Sequence, residues 1–355
     1  MESKRAYINA LAGVVPEHDV HKLFVDWAQG QVEDPRMRKL FMRMADRSGI
    51  EHRWSVLAPP GGRPHNEPGG FYHGDAPGTA ARMACYAAEA PKLALAAIAK
   101  LREQADLDGI THLVVASCTG FVAPGVDQII ARELGMPGVE RTLVGYMGCY
   151  AAVSALRTAY HIVRSEPEAR VLAVTVELCS LHLQETQKLE QLLAMLQFSD
   201  GAGAALVTAE PSGFEMSHLF SAPLEDSAEL IQWIIGDTGF EMTLSGEVPG
   251  RIQHALEDDG VRATIYNGWG PDEVDSWAVH AGGRSILDAV EKGLELPQGS
   301  LFASRDILAR YGNMSSATLM FVLAELASRP DVRKGVAIAF GPGLAAEGFH
   351  FERAP

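Results

Sequence analysis

The sequence has few of the features that would place it in a disulfide-rich, metal-binding or nucleic-acid-binding class. It has four cysteines, no Cys-x-x-Cys pair and no dense cysteine spacing, so neither a disulfide framework nor a metal site is predicted. Its 30 lysines and arginines are outnumbered by 45 aspartates and glutamates. The resulting net charge of -15 excludes the broad basic face that nucleic acids and anionic membranes require.

Long apolar runs are also missing. No segment approaches the roughly 18 apolar residues of a membrane span, and the first residues have no apolar core of the kind found in signal peptides. Sparse cysteines fit the reducing conditions of the cytosol. These observations predict a cytoplasmic protein that has no membrane or nucleic-acid partner.

What the sequence does contain is a regular alternation of apolar strands and helices. In the first half, apolar runs at residues 111–117, 171–178 and 202–209 are separated by helical patterns. The second half repeats this order, with apolar runs at residues 275–280 and 335–340. The alternation predicts an α/β protein whose mixed sheets contain parallel strands.

The two halves resemble copies of one layered unit. Met147-Gly148-Cys149 and Met314-Ser315-Ser316 each stand at the start of a predicted helix, and each helix leads to a Pro-containing break and an apolar strand. We therefore predict two duplicated halves, residues 1–210 and residues 211–355, with the boundary near Pro211. No stretch between them has the composition of a flexible linker, so the halves are expected to pack tightly.

Cys149 is the first candidate for chemistry, because an apolar run ends there and a small-residue helix begins. A helix N-terminus favours thiolate over thiol, which predicts a lowered pKa for Cys149. His280 ends a strand before Gly282-Gly283, and Asn313 precedes a helix that would be the pseudo-symmetric mate of the one at Cys149. A base and an oxyanion donor are what a cysteine nucleophile needs. Each residue alone also has an ordinary structural reading, as a small hydrophobe, a core histidine or a helix cap.

The sequence contexts of these residues favour the catalytic reading. Five segments together resemble the type III polyketide synthases, a chalcone-synthase-like family of homodimeric condensing enzymes with the thiolase fold: GYMGCYAA at 145–152, FSDGAGAAL at 198–206, WAVHAGGRSILDAVE at 277–291, YGNMSSA at 311–317 and AFGPGLAAE at 339–347. The resemblance covers nearly the whole chain. It implies two pseudo-duplicated α/β/α/β/α halves, a homodimer, and acyl-CoA and malonyl-CoA as substrates, with no metal or redox cofactor.

The resemblance also implies a catalytic triad of Cys149, His280 and Asn313. Cys149 would accept an acyl group from CoA. His280 and Asn313 would hold the thioester oxygen of malonyl-CoA while CO2 leaves, because preorganised donors stabilise charge that develops on an oxygen. His280 would also keep Cys149 as a thiolate, since an ion pair lowers the pKa of a thiol.

A further set of residues is implied as gatekeeper and pocket. Phe198 matches the aromatic gatekeeper between the CoA tunnel and the acyl cavity, and the pocket residues are Cys118, Thr119, Cys179, His182, Trp233, Met242 and Ser315. Cys118 and Cys179 stand where chalcone synthases have Thr, as in bacterial members of the family. Met242 stands at the position of a second gatekeeper Phe and Trp233 at that of a cavity-wall Gly.

The change at Trp233 bears on the product. Replacing Gly by Trp removes on the order of a hundred cubic ångströms of space, which disfavours a bulky aromatic starter. An aliphatic acyl-CoA or malonyl-CoA itself is the expected starter, and the expected product is a pyrone, resorcinol, phloroglucinol or polyhydroxynaphthalene.

Phosphate binding is predicted at a basic helical segment. Arg43 and Arg47 are four residues apart, hence on one face, and match two of the CoA-binding cations of the family. Leu40 occupies a third such position, where Lys39 is a candidate substitute. A solvated helix face is the ordinary reading of this segment.

Two other functions stay open at this point. A ketoacyl-ACP synthase III shares the fold and the triad but condenses once, and its family has His-Gln-Ala-Asn where His280 is followed here by Ala-Gly-Gly. A non-catalytic acyl-CoA-binding homologue is the alternative from another class.

Overall fold

The computed structural model describes residues 4–355. The apolar runs of the sequence form its strands, which are β1 (Ala6–Val14), β2 (His18–Asp19), β3 (Trp54–Ser55), β4 (His112–Ser117), β5 (Glu140–Gly145), β6 (Val171–Leu178), β7 (Asp200–Thr208), β8 (Phe214–Pro223), β9 (Ile231–Gly236), β10 (Gly239–Leu244), β11 (Ser276–Val279), β12 (Lys334–Gly341) and β13 (Ala345–Arg353). The helices between them are α1 (His21–Gln31), α2 (Pro35–Asp46), α3 (Thr79–Arg102), α4 (Val126–Glu133), α5 (Ala151–Ser165), α6 (Leu189–Met195), α7 (Val248–Glu257), α8 (Asp259–Tyr266), α9 (Arg284–Gly293), α10 (Phe302–Tyr311) and α11 (Ala317–Ala327).

Nine of these strands form one mixed sheet in the order β11-β12-β13-β8-β1-β7-β6-β4-β5. Parallel pairs, β11–β12, β4–β6 and β4–β5, lie toward its two ends, and antiparallel pairs lie in the middle. The five strands from β1 to β5 in this order come from residues before 210, and the other four come from residues after it. The two groups meet where β1 pairs with β8, with Ala6 opposite Met216.

Two helices, α5 and α11, form the inner layer of the fold. The sequence of α11 is apolar on all sides, which is typical of a fully buried helix, and its Leu319, Val322 and Leu323 have no solvent exposure. Gly203 on β7 lets this helix approach the sheet, since a Cβ there would lie 2.6 Å from Cβ of Met320. Because α11 follows Asn313 and α5 follows Cys149, this layer sets the positions of both residues.

Helices α1, α2 and α6 pack on one another through a small apolar cluster of their own, formed by Phe24, Ala28, Phe41, Ala45, Leu192 and Leu196. Strands β9 and β10 form a separate two-stranded hairpin in which Trp233 pairs with Met242. The hairpin contributes Ile231, Trp233 and Met242 to the walls of a cavity beside Cys149.

The length and polarity of the helices can be compared with what a membrane span requires. In the part of the chain that the structure describes, every helix is too short or too polar to cross a lipid bilayer.

Candidate active site

Cys149 lies in a short 3-10 turn, Gly148–Tyr150, that leads directly into α5. Gly148 has a positive φ of 71°, and a Cβ at this position would collide with the ring of Pro342. The turn between β12 and β13, which contains Pro342, therefore packs against the backbone of the cysteine turn. This contact holds the segments around Cys149 and Pro342 together, although they are far apart in the sequence.

A small cavity of about 30 Å³ lies beside Cys149. We call it the reaction cavity; its walls are Cys118, Thr119, Gly148, Cys149, Cys179, Phe198, Ile231, Trp233, Met242, Ser315 and Pro342. Its volume has room for roughly one or two water molecules. The structure thus brings together Phe198 and six of the seven residues predicted for the pocket.

His182 is the pocket residue that does not line the reaction cavity. Its Nδ1 accepts a hydrogen bond from the N–H of Phe240 at 3.0 Å, and its Nε2 donates to the carbonyl of Thr119 at 2.7 Å. The ring lies edge-to-face against Trp233, with 5.4 Å between ring centroids. Trp233 therefore separates His182 from the cavity, because the large indole occupies the space that a small residue would leave open.

Trp233 is held in place by its polar atom. Its Nε1 donates to the carbonyl of Cys118 at 2.8 Å, and its main-chain carbonyl accepts from the hydroxyl of Tyr146. The indole is thereby fixed in one orientation as a wall of the reaction cavity. Met242, its cross-strand partner, lines the same wall.

Asn313 is anchored through both its backbone and its side chain. Its main-chain N–H donates to Gln197 and its carbonyl accepts from Ser199, so the backbone pairs with the chain on either side of Phe198. Its Oδ1 accepts from the N–H of Ser315 at 2.8 Å, and its Nδ2 donates to the carbonyl of Gly282 at 3.1 Å. Because Nδ2 has two hydrogens, one remains for another acceptor.

His280 follows β11, and its main-chain N–H donates to Ile338 at 2.8 Å. The side chain is 2% exposed, and neither ring nitrogen has a hydrogen-bond partner among residues 4–355. Burial lowers the pKa of His280 to about 3, so the ring is neutral at physiological pH. A neutral imidazole has one donor and one acceptor nitrogen, and here both are uncommitted.

The thiol of Cys149 is neutral as well. Burial raises its pKa to about 11, although hydrogen bonding from the side chains of Ser315 and Asn313 acts in the opposite direction. The lowered pKa predicted from the helix N-terminus is therefore wrong for the free protein, as is a resting ion pair with His280. The reason is that a water-poor cavity penalises both charged forms, and this outweighs the helix end.

Glu177 is a buried acid that the sequence reasoning missed. It accepts hydrogen bonds from the N–H of Cys118 at 3.0 Å, from the hydroxyl of Thr119 at 2.8 Å and from the hydroxyl of Ser316. Burial raises its pKa to about 7. The carboxyl group thus ties the segment after β4 to the segment before α11, directly beneath the reaction cavity. A single acid within the apolar run of β6 was the signal that could have indicated it.

A groove on the other face of α6 carries positive charge. This basic groove encloses about 620 Å³ and is lined by Met44, Arg47, Ser48, Leu193, Leu196, Gln197, Arg284, Ser285 and Asp288. Arg284 Nη1 donates to the main-chain carbonyl of Arg47 at 3.1 Å, and its Nε lies 3.7 Å from Oδ2 of Asp288. Gln197, next to Phe198, connects the groove to the wall of the reaction cavity.

The cations predicted from sequence are not all at this groove. Arg47 lines it, whereas Lys39 and Arg43 are exposed on α2 outside the lining. Arg284 was missed, although a cation directly after Gly282-Gly283 at the start of a helix is a recognisable signal for an anion site.

Comparison with known proteins identifies the family. The sequence matches the family model "Chalcone and stilbene synthases, N-terminal domain" over residues 4–211 and the corresponding C-terminal domain over residues 218–354. The chain belongs to the chalcone and stilbene synthase family. Membership confirms the resemblance to type III polyketide synthases that the five sequence segments indicate.

Among curated members of the chalcone and stilbene synthase family, the alpha-pyrone synthesis polyketide synthase-like Pks18 of Mycobacterium tuberculosis is 35% identical over 252 residues. The alignment covers 68% of this chain and 64% of that protein. The 1,3,6,8-tetrahydroxynaphthalene synthase of Streptomyces peucetius is 34% identical over 257 residues, which is 68% of this chain and 66% of the relative. The chain therefore spans slightly less than two thirds of the length of these relatives.

Solved structures of the family confirm the α/β thiolase-like fold. Polyketide synthase PKS-I of the brown alga Ectocarpus siliculosus superposes with a TM-score of 0.90 at 26% identity, with 99% of each chain covered. The C-terminal type III polyketide synthase domain of Steely1 from Dictyostelium superposes with a TM-score of 0.89 at 25% identity, covering 99% of this chain and all of that one.

Proposed function

We propose that this protein is a type III polyketide synthase that condenses malonyl-CoA repeatedly onto an aliphatic acyl-CoA or malonyl-CoA starter held on Cys149. The observation that carries the proposal is a cysteine beside a small, mostly apolar cavity, with the side chains of Asn313 and Ser315 next to its thiol. The names of the two curated relatives favour a pyrone or a polyhydroxynaphthalene over a resorcinol or phloroglucinol product.

The first step is acyl transfer to Cys149. The sulfur attacks the thioester carbonyl of the starter, the bond to CoA sulfur breaks, and the thiol proton passes through His280 to the departing CoA thiolate. Because burial keeps both Cys149 and His280 neutral in the free protein, proton transfer accompanies the attack instead of preceding it. The uncommitted ring nitrogens of His280 support this role.

The second step is decarboxylation of malonyl-CoA. Loss of CO2 places negative charge on the thioester oxygen, where His280 and the remaining N–H of Asn313 Nδ2 would donate hydrogen bonds. Donors of this kind each lower such barriers by about 3 kcal/mol. The resulting enolate carbon attacks the acyl carbonyl on Cys149, the carbon–sulfur bond breaks, and Cys149 leaves as a thiolate while the extended chain stays on CoA. That thiolate attacks the CoA thioester of the extended chain to begin the next round and releases the CoA thiolate, which takes a proton from solvent. No step of this sequence requires a metal or redox cofactor.

Substrate delivery is assigned to the basic groove. Arg47 and Arg284 would bind the phosphates of CoA, with Arg43 and Lys39 on the exposed face of α2 as outer cations. The pantetheine arm would then pass Gln197 to reach Phe198, the gatekeeper. Leu40 stands where the family has a third CoA-binding cation, and Arg284 would supply that positive charge instead.

A homodimer is the assembly that we propose. Strand β5 forms the edge of the large sheet, it is largely exposed, and its Leu143 is 50% exposed. An exposed sheet edge with an apolar side chain favours pairing with a second chain. Within each subunit, residues 1–210 and residues 211–355 would form the two duplicated halves.

The proposal is tested by incubating the protein with malonyl-CoA and a panel of acyl-CoA starters and reading the products by mass spectrometry. Products with two or more malonyl-derived units are expected, and Cys149→Ala should abolish them. Cys118→Ala is the matched control, because Cys118 lines the same cavity and should leave acylation at Cys149 intact. Acylation mapped to Cys118 contradicts the assignment. A single condensation would instead indicate a ketoacyl-ACP synthase III-like enzyme, and absence of CO2 release a non-catalytic homologue.

A further inference from the structure

The outer face of α2 is positively charged, although the protein as a whole is strongly acidic. The helix carries Arg36, Arg38, Lys39 and Arg43 with no acid between them, and all of these residues are exposed. The formal net charge of the chain is -15. The positive charge of α2 is therefore a local feature of the surface.

Two large apolar side chains lie among these cations. Met37 and Met44, two helical turns apart on α2, are 41% and 43% exposed. The opposite side of the helix is buried, where Phe41 and Ala45 belong to the apolar cluster shared with α1 and α6. Exposed methionine and arginine side chains are typical of protein–protein interfaces. We call the exposed face formed by Arg36, Met37, Lys39, Arg43 and Met44 the docking strip.

The docking strip leads away from the basic groove. Arg47, at the C-terminal end of α2, lines that groove. Arg36 lies about 16 Å from Arg47 along the helix axis, because an α-helix rises 1.5 Å per residue, and it is outside the groove lining. A CoA molecule whose phosphates are held in the groove therefore leaves the Arg36 end of the strip without a ligand.

We propose that the docking strip binds an acidic acyl carrier protein, which presents an acyl-phosphopantetheine thioester to Cys149 through the basic groove. The inference rests on the proposed function, since it takes the groove to hold a phosphopantetheine arm, which CoA and carrier proteins share. The cations of the strip would face carboxylates of the carrier, and its methionines would contact apolar side chains. In the transfer step the sulfur of Cys149 attacks the acyl carbonyl, the bond to the phosphopantetheine sulfur breaks, and the thiol proton passes through His280 to the departing thiolate.

The surroundings of the strip favour a narrow protein partner over an anionic membrane. Exposed acids lie beside it, with Asp26 on α1, Glu33 just before α2 and Glu190 on α6, and both of these helices pack against α2. A flat lipid surface would meet these acids together with the strip, whereas one acidic helix would contact the strip alone. Because salt screens exposed charges beyond about 8 Å at physiological ionic strength, such a partner would respond to the strip more than to the net charge of the chain.

The test compares two starters in the wild-type protein, with malonyl-CoA as extender and products quantified by mass spectrometry. The starters are hexanoyl-CoA and the hexanoyl thioester of an acyl carrier protein from bacterial fatty-acid synthesis. Arg36→Glu should lower kcat/KM for the carrier-bound starter about 3- to 10-fold, mainly through KM, because the change replaces an attraction by a repulsion. It should leave kcat/KM for hexanoyl-CoA unchanged. Lys92→Glu on α3, with a side chain that is 69% exposed, is the matched control and should affect neither starter.

The outcomes separate this inference from the proposed function. If hexanoyl-CoA is used and the carrier-bound starter is not, the docking inference is wrong and the proposed function stands. Equal loss of both starters in Arg36→Glu, or no loss of either, also overturns the docking inference. Sedimentation of the protein with phosphatidylglycerol vesicles that is abolished by Arg36→Glu would identify a lipid surface as the occupant instead. If neither starter gives a product, the proposed function fails and the docking inference fails with it.

Discussion

Trp233→Ala should enlarge the reaction cavity and change the product. The indole lines the reaction cavity of about 30 Å³ and also a second pocket of about 90 Å³ near α1, α6 and the β9–β10 hairpin. Deleting it frees on the order of a hundred cubic ångströms, which is several times the present volume. A cavity of this size costs about 2.4 kcal/mol of stability, and the carbonyl of Cys118 loses its donor at a cost of about 1 kcal/mol.

The assay compares products of the wild-type protein and the variant by mass spectrometry, with malonyl-CoA and either a hexanoyl or a bulky aromatic acyl-CoA starter. We expect longer chains from the first starter and new acceptance of the second. Trp233→Phe should give an intermediate distribution because it retains part of the ring volume but not the N–H donor. Ile234→Ala, at an exposed position of the same strand, should change nothing. If a folded Trp233→Ala variant gives the wild-type products, the indole does not limit the space available to the chain.

Two further outcomes follow from the charges around the site. Because burial raises the pKa of Cys149 to about 11, its alkylation by iodoacetamide should accelerate about tenfold per pH unit between about pH 7 and pH 10; a plateau reached below pH 8 would show a thiolate already present. Arg284→Ala should raise KM for malonyl-CoA about 3- to 10-fold with little change in kcat, whereas Lys292→Ala, on the same helix but outside the basic groove, should leave both constants unchanged.

Local sequence patterns were sufficient to predict the strands and helices around the site. The apolar runs at residues 171–178 and 335–340 form β6 and β12 within a residue or so of the predicted bounds. The cysteine at the start of a small-residue helix was identifiable because capping and helix propensity act between near neighbours in the chain. The predicted duplication of the two halves led us to expect Asn313 near Cys149, and the Asn313 side chain does lie next to that thiol.

Local sequence patterns could not predict the protonation states of Cys149 and His280. A helix N-terminus is visible in sequence, but the burial that raises the pKa of Cys149 and lowers that of His280 arises from segments that lie far apart in the chain. Likewise, nothing local indicates that Arg53 reaches the carbonyl of Phe198, or that Glu177 joins the segments at Thr119 and Ser316.

Short-range periodicity and motifs were enough to predict the main strands and helices, the family, and the residue types available for chemistry. The size of the reaction cavity, the contact of Trp233 with His182, and the meeting of Arg284 with Arg47 at one groove became visible only in the folded chain. Cavity volume, desolvation and long-range contacts depend on how distant side chains fill a shared space, and that is a property of packing rather than of any one segment.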